Sequence, residues 1–320
     1  MSEAAASRPG TDDPPGAIDA VPLRHYGRWA AVAVIAVLAL MLLHLLVTND
    51  AFEWSFVAKA MNQSPVIEGL LKGTILVTVC SMVVGVVGGV ILAVMRLSAN
   101  PILSGVAWVF TWFFRSIPRL VLLTTMGVLG LLFHDGLSLG VPFDWKIMGW
   151  LGLSSDLRFL TLNANQVFSG ILGGILGLGL SEAAYMAEIA RAGILSVDKG
   201  QAEAAQALGM SSGQTMRRVV LPQAMRVIVP PTGNETIAMM KDTSLLIGLP
   251  LTTEMFFQLE SIGSRTYKVF PVLVAATIYY LILTSIMMVG QYFLERRFGR
   301  GFAGKAPTAR SAPTAAGLEH

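Results

Sequence analysis

Several long stretches of this chain are apolar and nearly free of charge, and they constrain the fold more than any other feature. The first, Trp29 to Val47, reads WAAVAVIAVLALMLLHLLV and has His44 as its single ionisable group. A helix needs about 20 apolar residues to cross a bilayer. Further segments of this kind cover residues 66–95, 101–133, 165–192, 223–249 and 268–293. The sequence therefore predicts an all-α membrane protein, a polytopic bundle of about six transmembrane helices.

The composition agrees with a membrane location. Hydrophobic residues make up 54% of the chain and charged residues 13%, whereas soluble domains carry about a quarter charged residues. The formal net charge of +3 gives no basis for nucleic-acid binding. Cys80 is the single cysteine, so an intrachain disulfide is excluded.

The first apolar segment has two interpretations, a cleaved signal sequence or a permanent anchor. Signal sequences have apolar cores of about 7–15 residues followed by a small-residue cleavage site. This segment is longer, and the TNDAFEW that follows it offers no such site. We therefore expect an uncleaved anchor at 29–47, with a disordered cytoplasmic tail at 1–28 and a second disordered tail at 299–320.

The distribution of basic residues predicts the orientation. With the N-terminus inside and 101–133 counted as one span kinked at Pro118, 14 arginines and lysines fall on the cytoplasmic side and 6 outside. This asymmetry agrees with the positive-inside rule. Splitting 101–133 into two spans would invert every later segment. The sequence thus predicts that both termini, and the stretch from Gly200 to Ala224, are cytoplasmic.

That stretch, GQAEAAQALGMSSGQTMRRVVLPQA, has the pattern of a helix pair. Gln201 to Leu208 is rich in alanine and favours a helix, and Gly209 suits the position just after its end. Ser211 and Gln214 form a capping-box pattern for a second helix reaching Val220. The prediction is a helix–turn–helix that projects from the membrane.

The order of residues within this segment resembles a known motif. Glu203-Ala204-Ala205, three residues, Gly209, nine residues, Val219, one residue and Leu221-Pro222 resembles the EAA loop of importer-type ABC transporter permeases, which usually reads EAA-x3-G-x9-I-x-LP. The flanking SEAAYMAEIARAGILSVDKG and LPQAMRVIVPPTGNETIAMMKDTSLL are similar to the polar amino acid, histidine/glutamine permease-like subfamily. The resemblance covers about residues 66–293, where Thr74 and Arg96 also occupy familiar positions.

The resemblance implies a fold and a set of partners. The fold is the type I ABC importer permease, with a core at 66–298 and a coupling loop at 196–222. The partners are a separate ATPase subunit, which holds ATP and Mg, an extracytoplasmic binding protein, and a second permease copy or paralogue. The residues expected to dock on the ATPase are Glu203, Ala204, Ala205, Gly209, Leu221 and Pro222.

The same resemblance implies that the chain itself is not an enzyme and has no cofactor or metal. The sequence contains no G-x-x-x-x-G-K-[S/T] phosphate loop. The segment RSIPR, from Arg115 to Arg119, departs from the R-G-T-P-like sequence common in the subfamily. We expect a multi-pass protein of the bacterial inner membrane that imports polar or charged amino acids or close derivatives.

Ionisable groups inside spans are costly to bury, so they are candidates for the substrate path. A zwitterionic amino acid needs partners of both signs, and Glu182, Asn234, Glu235 and Arg115 are the candidates. Pro230-Pro231 is expected to break the helix beside Asn234.

Structural explanations compete with a path role for the other charged residues. Glu188 and Arg191 have the spacing of a helical ion pair. Lys241 and Asp242 suit an ion pair or an interface. The two arginines around Pro118, Arg115 and Arg119, are expected to face water or lipid headgroups if they do not line the path.

Three other classes of protein fit the sequence less well. An ion-gradient-driven secondary transporter predicts an internal repeat with paired broken helices, and none is evident. A membrane enzyme would need a metal or nucleophile motif, but the four histidines are far apart in the sequence. An exporter or channel subunit would leave the EAA pattern unexplained. Two glycine motifs, Gly85-x-x-x-Gly89 and Gly170-x-x-x-Gly174, predict close helix contacts.

Overall fold

The computed structural model describes residues 26–133, 136–141, 143–151, 158–249 and 251–299. The predicted tails at 1–28 and 299–320 therefore lie almost entirely outside the described residues. The chain divides into two compact units, Met1–Phe52 and Glu53–His320.

The first unit contains the apolar helix predicted from the sequence. Helix α1 (Tyr26–Thr48) has 23 residues and is followed by a 3-10 turn at Asp50–Phe52. Its length and composition suit a membrane span.

The second unit is a bundle of helices with one small sheet. Its helices are α2 (Trp54–Met61), α3 (Ser64–Glu68), α4 (Leu76–Arg96), α5 (Pro101–Ser116), α6 (Arg119–Leu132), α7 (Asp144–Leu151), α8 (Ala164–Phe168), α9 (Gly170–Leu195), α10 (Lys199–Ala207), α11 (Ser212–Thr215), α12 (Leu221–Asp242), α13 (Met255–Thr266) and α14 (Val269–Phe298). Short π-helical or 3-10 segments connect some of them, at Gly69–Ile75, Met216–Val220 and Thr243–Gly248.

The spans found among the described residues agree with most of those predicted. Four helical stretches are long and apolar enough to cross a membrane: Tyr26–Thr48, Ser64–Arg96, Gly170–Leu195 and Val269–Phe298. Helices α5 and α6 add a fifth if they form one span, since they meet at a bend of 102°. The bend lies at Pro118, as predicted. Helix α12 occupies the predicted 223–249 segment but does not meet the same criteria for a span.

Helix α12 differs from its prediction because it continues through Pro230 and Pro231 without a break. Proline removes a backbone donor and usually kinks a helix. Here α14 packs against this point, and the Gln291 side chain donates a hydrogen bond of 2.8 Å to the carbonyl of Pro230. This bond joins α14 to α12, but it does not replace the two lost backbone bonds, whose acceptors would be the carbonyls four residues before each proline.

Among the described residues, strand occurs in the segment between α6 and α8. Strands β1 (Leu137–Gly140) and β2 (Arg158–Leu162) form an antiparallel pair in which Leu137 lies opposite Leu162. Helix α7 lies between them in sequence. The described residues are mostly helical, as predicted, and this antiparallel pair is a small addition to the bundle.

The contact between α4 and α9 depends on glycine. At Gly85, an added Cβ would lie 2.5 Å from Cγ of Glu182, and at Gly89 it would lie 2.4 Å from Cβ of Met186. The Gly85-x-x-x-Gly89 prediction is therefore confirmed. Gly170 instead begins α9 with a positive φ of 64° and open space around it. The second motif therefore forms no close helix contact at Gly170.

A buried carboxylate connects three further segments of the second unit. Glu254 caps α13 by accepting hydrogen bonds from the backbone N–H groups of Phe256 and Phe257, at 2.6 and 3.1 Å. It also accepts from the hydroxyls of Thr74 (2.9 Å) and Tyr280 (3.4 Å). Burial raises the pKa of the Glu254 carboxyl, and these hydrogen bonds act in the opposite direction. The sequence analysis did not identify this residue.

Replacement of Gly89 by alanine should weaken the α4–α9 contact. The new methyl group would overlap Cβ of Met186 and approach the backbone of Ala187 at 3.0 Å, and overpacking of this kind costs about 1–3 kcal/mol. Thermal unfolding of the detergent-solubilised protein should show a lower midpoint. Gly290→Ala is the matched control, because open space surrounds Gly290 in α14. Equal midpoints for the two variants would contradict the contact.

Candidate functional site

The predicted coupling loop folds as a short helix followed by a glycine turn. Asp198 caps α10 by accepting from the backbone N–H of Gly200 at 2.7 Å. Gly209 has a φ of +82°, which favours glycine. Ser211 and Gln214 form both hydrogen bonds of the capping box. Helix α11 then runs through a π-helical segment directly into α12, so the second helix of the predicted pair is not separate.

The docking residues predicted from the sequence do not all reach the surface. Glu203, Ala204 and Gly209 are exposed, as are Leu221 and Pro222. Ala205 is only 5% exposed, and its carbonyl accepts a hydrogen bond from the backbone N–H of Met210. The side chain of Ala205 therefore supports the loop from within.

One residue of the loop was missed by the sequence analysis. Leu208 follows the last residue of α10 and is 84% exposed. Burial of such an apolar side chain against a partner protein would be favourable, so Leu208 is a candidate contact residue. The sequence feature that could have identified it is a leucine directly before the glycine turn, at the end of an alanine-rich helix.

A second group of functional candidates surrounds Arg119, the first residue of α6. Its guanidinium donates to Oε2 of Glu182 on α9 at 2.8 Å and also forms an ion pair with Asp242 on α12. The guanidinium carbon lies 4.9 Å from the centre of the Tyr185 ring, which is a cation–π contact. One arginine thus joins three helices.

The two carboxylates of this cluster differ in their access to solvent. Glu182 is completely buried, whereas the Asp242 side chain is 30% exposed. Oε1 of Glu182 has no hydrogen-bond partner among the described residues. Glu235 lies close enough for its carboxylate to repel that of Glu182. The cluster thus contains three carboxyl groups and one guanidinium.

The structure brings together some of the predicted path residues. Glu182 and Glu235 belong to the same acidic cluster. Asn234 is exposed on α12, and Arg115 is exposed at the end of α5 with its guanidinium 5.5 Å from the Tyr185 ring.

The environment of Arg119 differs from the expected one, and the structure also shows the predicted ion-pair candidates. Arg119 does not face water or lipid headgroups, because its side chain is only 13% exposed and is held by two carboxylates. Glu188 and Arg191 form the predicted pair at 2.7 Å. Asp242 pairs with Arg119, and Lys241 is exposed without an ion pair among the described residues.

Metal chemistry has no support in this region. Across the part of the chain that the structure describes, no group of three or more His, Cys, Asp or Glu side chains is placed to hold a metal ion.

The helical bundle and the helix–turn loop together define the membrane subunit of a binding-protein-dependent importer. The chain belongs to the family of binding-protein-dependent transport system inner membrane components, whose model matches residues 85–300.

Curated relatives and a solved structure agree with this family. The chain is 42% identical over 288 residues to the arginine transport system permease protein ArgU of Corynebacterium glutamicum, covering 90% of this chain and 85% of that protein. It is 34% identical over 248 residues to the glutamate/aspartate import permease protein GltK of Escherichia coli O157:H7, covering 77% and 98%. A crystal structure of an amino acid ABC transporter with histidines matches with a TM-score of 0.55 and 28% identity, over 73% of this chain and 94% of that one.

These similarities establish the general function. The chain is the membrane-embedded permease subunit of an amino acid ABC importer, and it is not the catalytic subunit. The prediction of the family is therefore confirmed, and the ion-gradient alternative is set aside.

Removal of the Arg119 guanidinium should destabilise the bundle. Arg119→Met leaves the carboxylate of Glu182 buried without its ion-pair partner, and breaking a buried pair in this way costs about 3–5 kcal/mol. The melting temperature of the purified chain should fall markedly. The double variant Arg119→Met, Glu182→Gln should recover part of the loss, because it no longer buries an unpaired charge. Additive losses in the double variant would show that the pair does not interact.

Proposed function

We propose that this permease imports cationic amino acids and that the acidic cluster around Arg119 selects them. The observation that carries the proposal is the excess of carboxylates over guanidinium groups at Glu182, Glu235 and Asp242. A cationic side chain of the substrate would balance this charge, whereas an acidic substrate would add to it.

The geometry of Arg119 supports a guanidinium or ammonium substrate. This internal guanidinium already binds two carboxylates and contacts the face of Tyr185. Arginine as a substrate would present the same planar donors, which match carboxylates closely. Glu235 and Asn234 complete the proposed path. The relative named as an arginine transport permease points to the same class of substrate.

In the proposed mechanism, the coupling loop transmits ATP binding to the spans. Leu208 and Glu203 project from α10 and would dock on a separate ATPase subunit, which holds ATP and Mg. The apolar side chain would fill a groove, and the carboxylate would orient the contact by a charge-assisted hydrogen bond. Two such loops, one from each permease of a dimer, would move together when the ATPases close. Conformational states shift only if the ATPases bind one of them more tightly.

The remaining partners and the orientation belong to the same proposal. An extracytoplasmic binding protein would deliver the amino acid from outside, and a second permease copy or a paralogue would complete the channel. The chain would lie in the bacterial inner membrane with both termini in the cytoplasm, because the excess of basic residues lies on that side.

The charge of Glu235 should matter for uptake of arginine. Glu235→Gln keeps the shape of the side chain but removes one negative charge, and a charge interaction of about 1.4 kcal/mol corresponds to a tenfold effect. We expect arginine uptake into proteoliposomes holding permease, ATPase and binding protein to fall about tenfold. Glu260→Gln, at an exposed position on α13, should transport normally. Equal uptake of glutamate and arginine by the unmodified complex would refute the cationic substrate.

Leu208 should anchor the ATPase. Burial of a leucine side chain contributes about 1.5–3 kcal/mol, so Leu208→Ala should weaken co-purification of the ATPase by about tenfold or more. Substrate-stimulated ATP hydrolysis should fall with it, while the melting temperature should be unchanged because the side chain is exposed. Gln206→Ala, another exposed position of α10, is the matched control. If the Leu208→Ala complex keeps full substrate-stimulated ATP hydrolysis, Leu208 is not part of the docking surface.

A further inference from the structure

Three arginines line a groove that contains none of the residues of the acidic cluster. Arg96 at the end of α4, Arg115 at the end of α5 and Arg191 near the end of α9 border a cavity of about 360 Å³. Glu188, Thr111 and Ser116 also line it. Three guanidinium groups and one carboxylate leave a formal excess of two positive charges.

The described residues do not balance this positive charge. Arg191 is satisfied, because its Nε and Nη2 both donate to Oε2 of Glu188, at 2.9 and 2.7 Å. Among the described residues, neither Arg96 nor Arg115 has a carboxylate within ion-pair distance. Nε of Arg96 is buried and has no hydrogen-bond partner within the described part of the chain. A buried donor without a partner is costly, so the groove favours an anionic acceptor.

The rim of the groove indicates from which side such an acceptor would come. Trp108 and Trp112 stack with their ring centres 6.3 Å apart, and they are 51% and 56% exposed. Other large apolar side chains of the same helix are also exposed: Ile102, Leu103, Val106, Val109 and Phe113. Tryptophan prefers the membrane–water interface, where one end of the ring is apolar and the other wet. The groove therefore has an aromatic rim that is suited to the membrane–water interface, and it lies on a helix that also exposes apolar side chains.

The groove also lies toward one end of the bundle. Arg96 is the last residue of α4, and Arg191 is one turn before the end of α9 at Leu195. The coupling loop begins directly after this end, with α10 starting at Lys199. In the proposed orientation this is the cytoplasmic side, where the leaflet carries anionic lipids that basic pockets between helices bind.

We propose that this groove binds the phosphate of an anionic phospholipid. The phosphate oxygens would accept hydrogen bonds from Nε of Arg96 and from the guanidinium of Arg115, and the acyl chains would lie along α5 beside the two tryptophans. Arginine is suited to this role because its planar fork matches phosphate geometry. The apolar rim favours a lipid over a free anion, since a lipid reaches the groove without leaving the bilayer. This proposal depends on the guanidinium groups that line the groove and not on the identity of the transported amino acid.

The test uses the full chain, purified in detergent and stripped of lipid. Phosphatidylglycerol, phosphatidylcholine, inorganic phosphate or free arginine is added back, and bound lipid and the melting temperature are measured by native mass spectrometry and thermal unfolding. We expect retention and a higher melting temperature with phosphatidylglycerol only. Arg96→Gln should weaken phosphatidylglycerol binding by about tenfold or more. Arg297→Gln removes the same charge at an exposed position in the last turn of α14 and should bind normally.

Three results would overturn the proposal. Equal losses for Arg96→Gln and Arg297→Gln would show that only overall charge matters. The same stabilisation by inorganic phosphate would assign the groove to a free anion. The same stabilisation by arginine, lost in Arg96→Gln, would assign it to the carboxylate of the substrate. If Arg96→Gln does not fold, Arg115→Gln at an exposed position and the charge-preserving Arg96→Lys carry the same comparison.

Discussion

The packing of α4, α6 and α12 around α9 depends on the buried carboxylate of Glu182. A carboxylate that is removed from water needs a charged partner, and Arg119 supplies it from the start of α6. Gly85 leaves the space that the Glu182 side chain occupies beside α4. The bend at Pro118 places Arg119 at the start of α6, where its guanidinium also reaches Asp242 on α12. The close contact of α4 with α9 and the position of α6 are therefore linked to one ion pair.

Much of this arrangement is contained in local sequence patterns. Apolar length predicts the spans, the small residues at Gly85 and Gly89 predict the α4–α9 contact, and Ser211 with Gln214 predicts the turn of the coupling loop. These features depend on neighbours within a few residues or on helical periodicity, which a sequence displays directly. Glu182 and Glu235 could be chosen as candidates for the same reason, because an ionisable group within an apolar segment is visible without a structure.

The features that escaped prediction all depend on distant contacts. Arg119 was expected at a water-facing or headgroup position because nothing near Pro118 in the sequence points to Asp242. Helix α12 continues through two prolines, and Gln291, far away in the chain, donates to the carbonyl of Pro230 at this point. Glu254 lies in a polar stretch that gives no sign of burial, yet its carboxylate joins α13 to Thr74 and Tyr280. Such residues carry no local signal, so their roles become visible only when the helices are packed.

Helix α9 contributes residues to both charged regions of the protein. Glu182, Tyr185, Glu188 and Arg191 follow one another at intervals of three residues, so they lie on neighbouring turns of the helix. Glu182 belongs to the acidic cluster, Arg191 belongs to the basic groove, and Tyr185 contacts both Arg115 and Arg119 between them. Three residues separate the end of α9 from α10. In the proposed mechanism, a displacement of the coupling loop would therefore move the substrate-selecting carboxylate and the lipid-binding groove through a single rigid helix, so that ATP binding and substrate binding act on the same element.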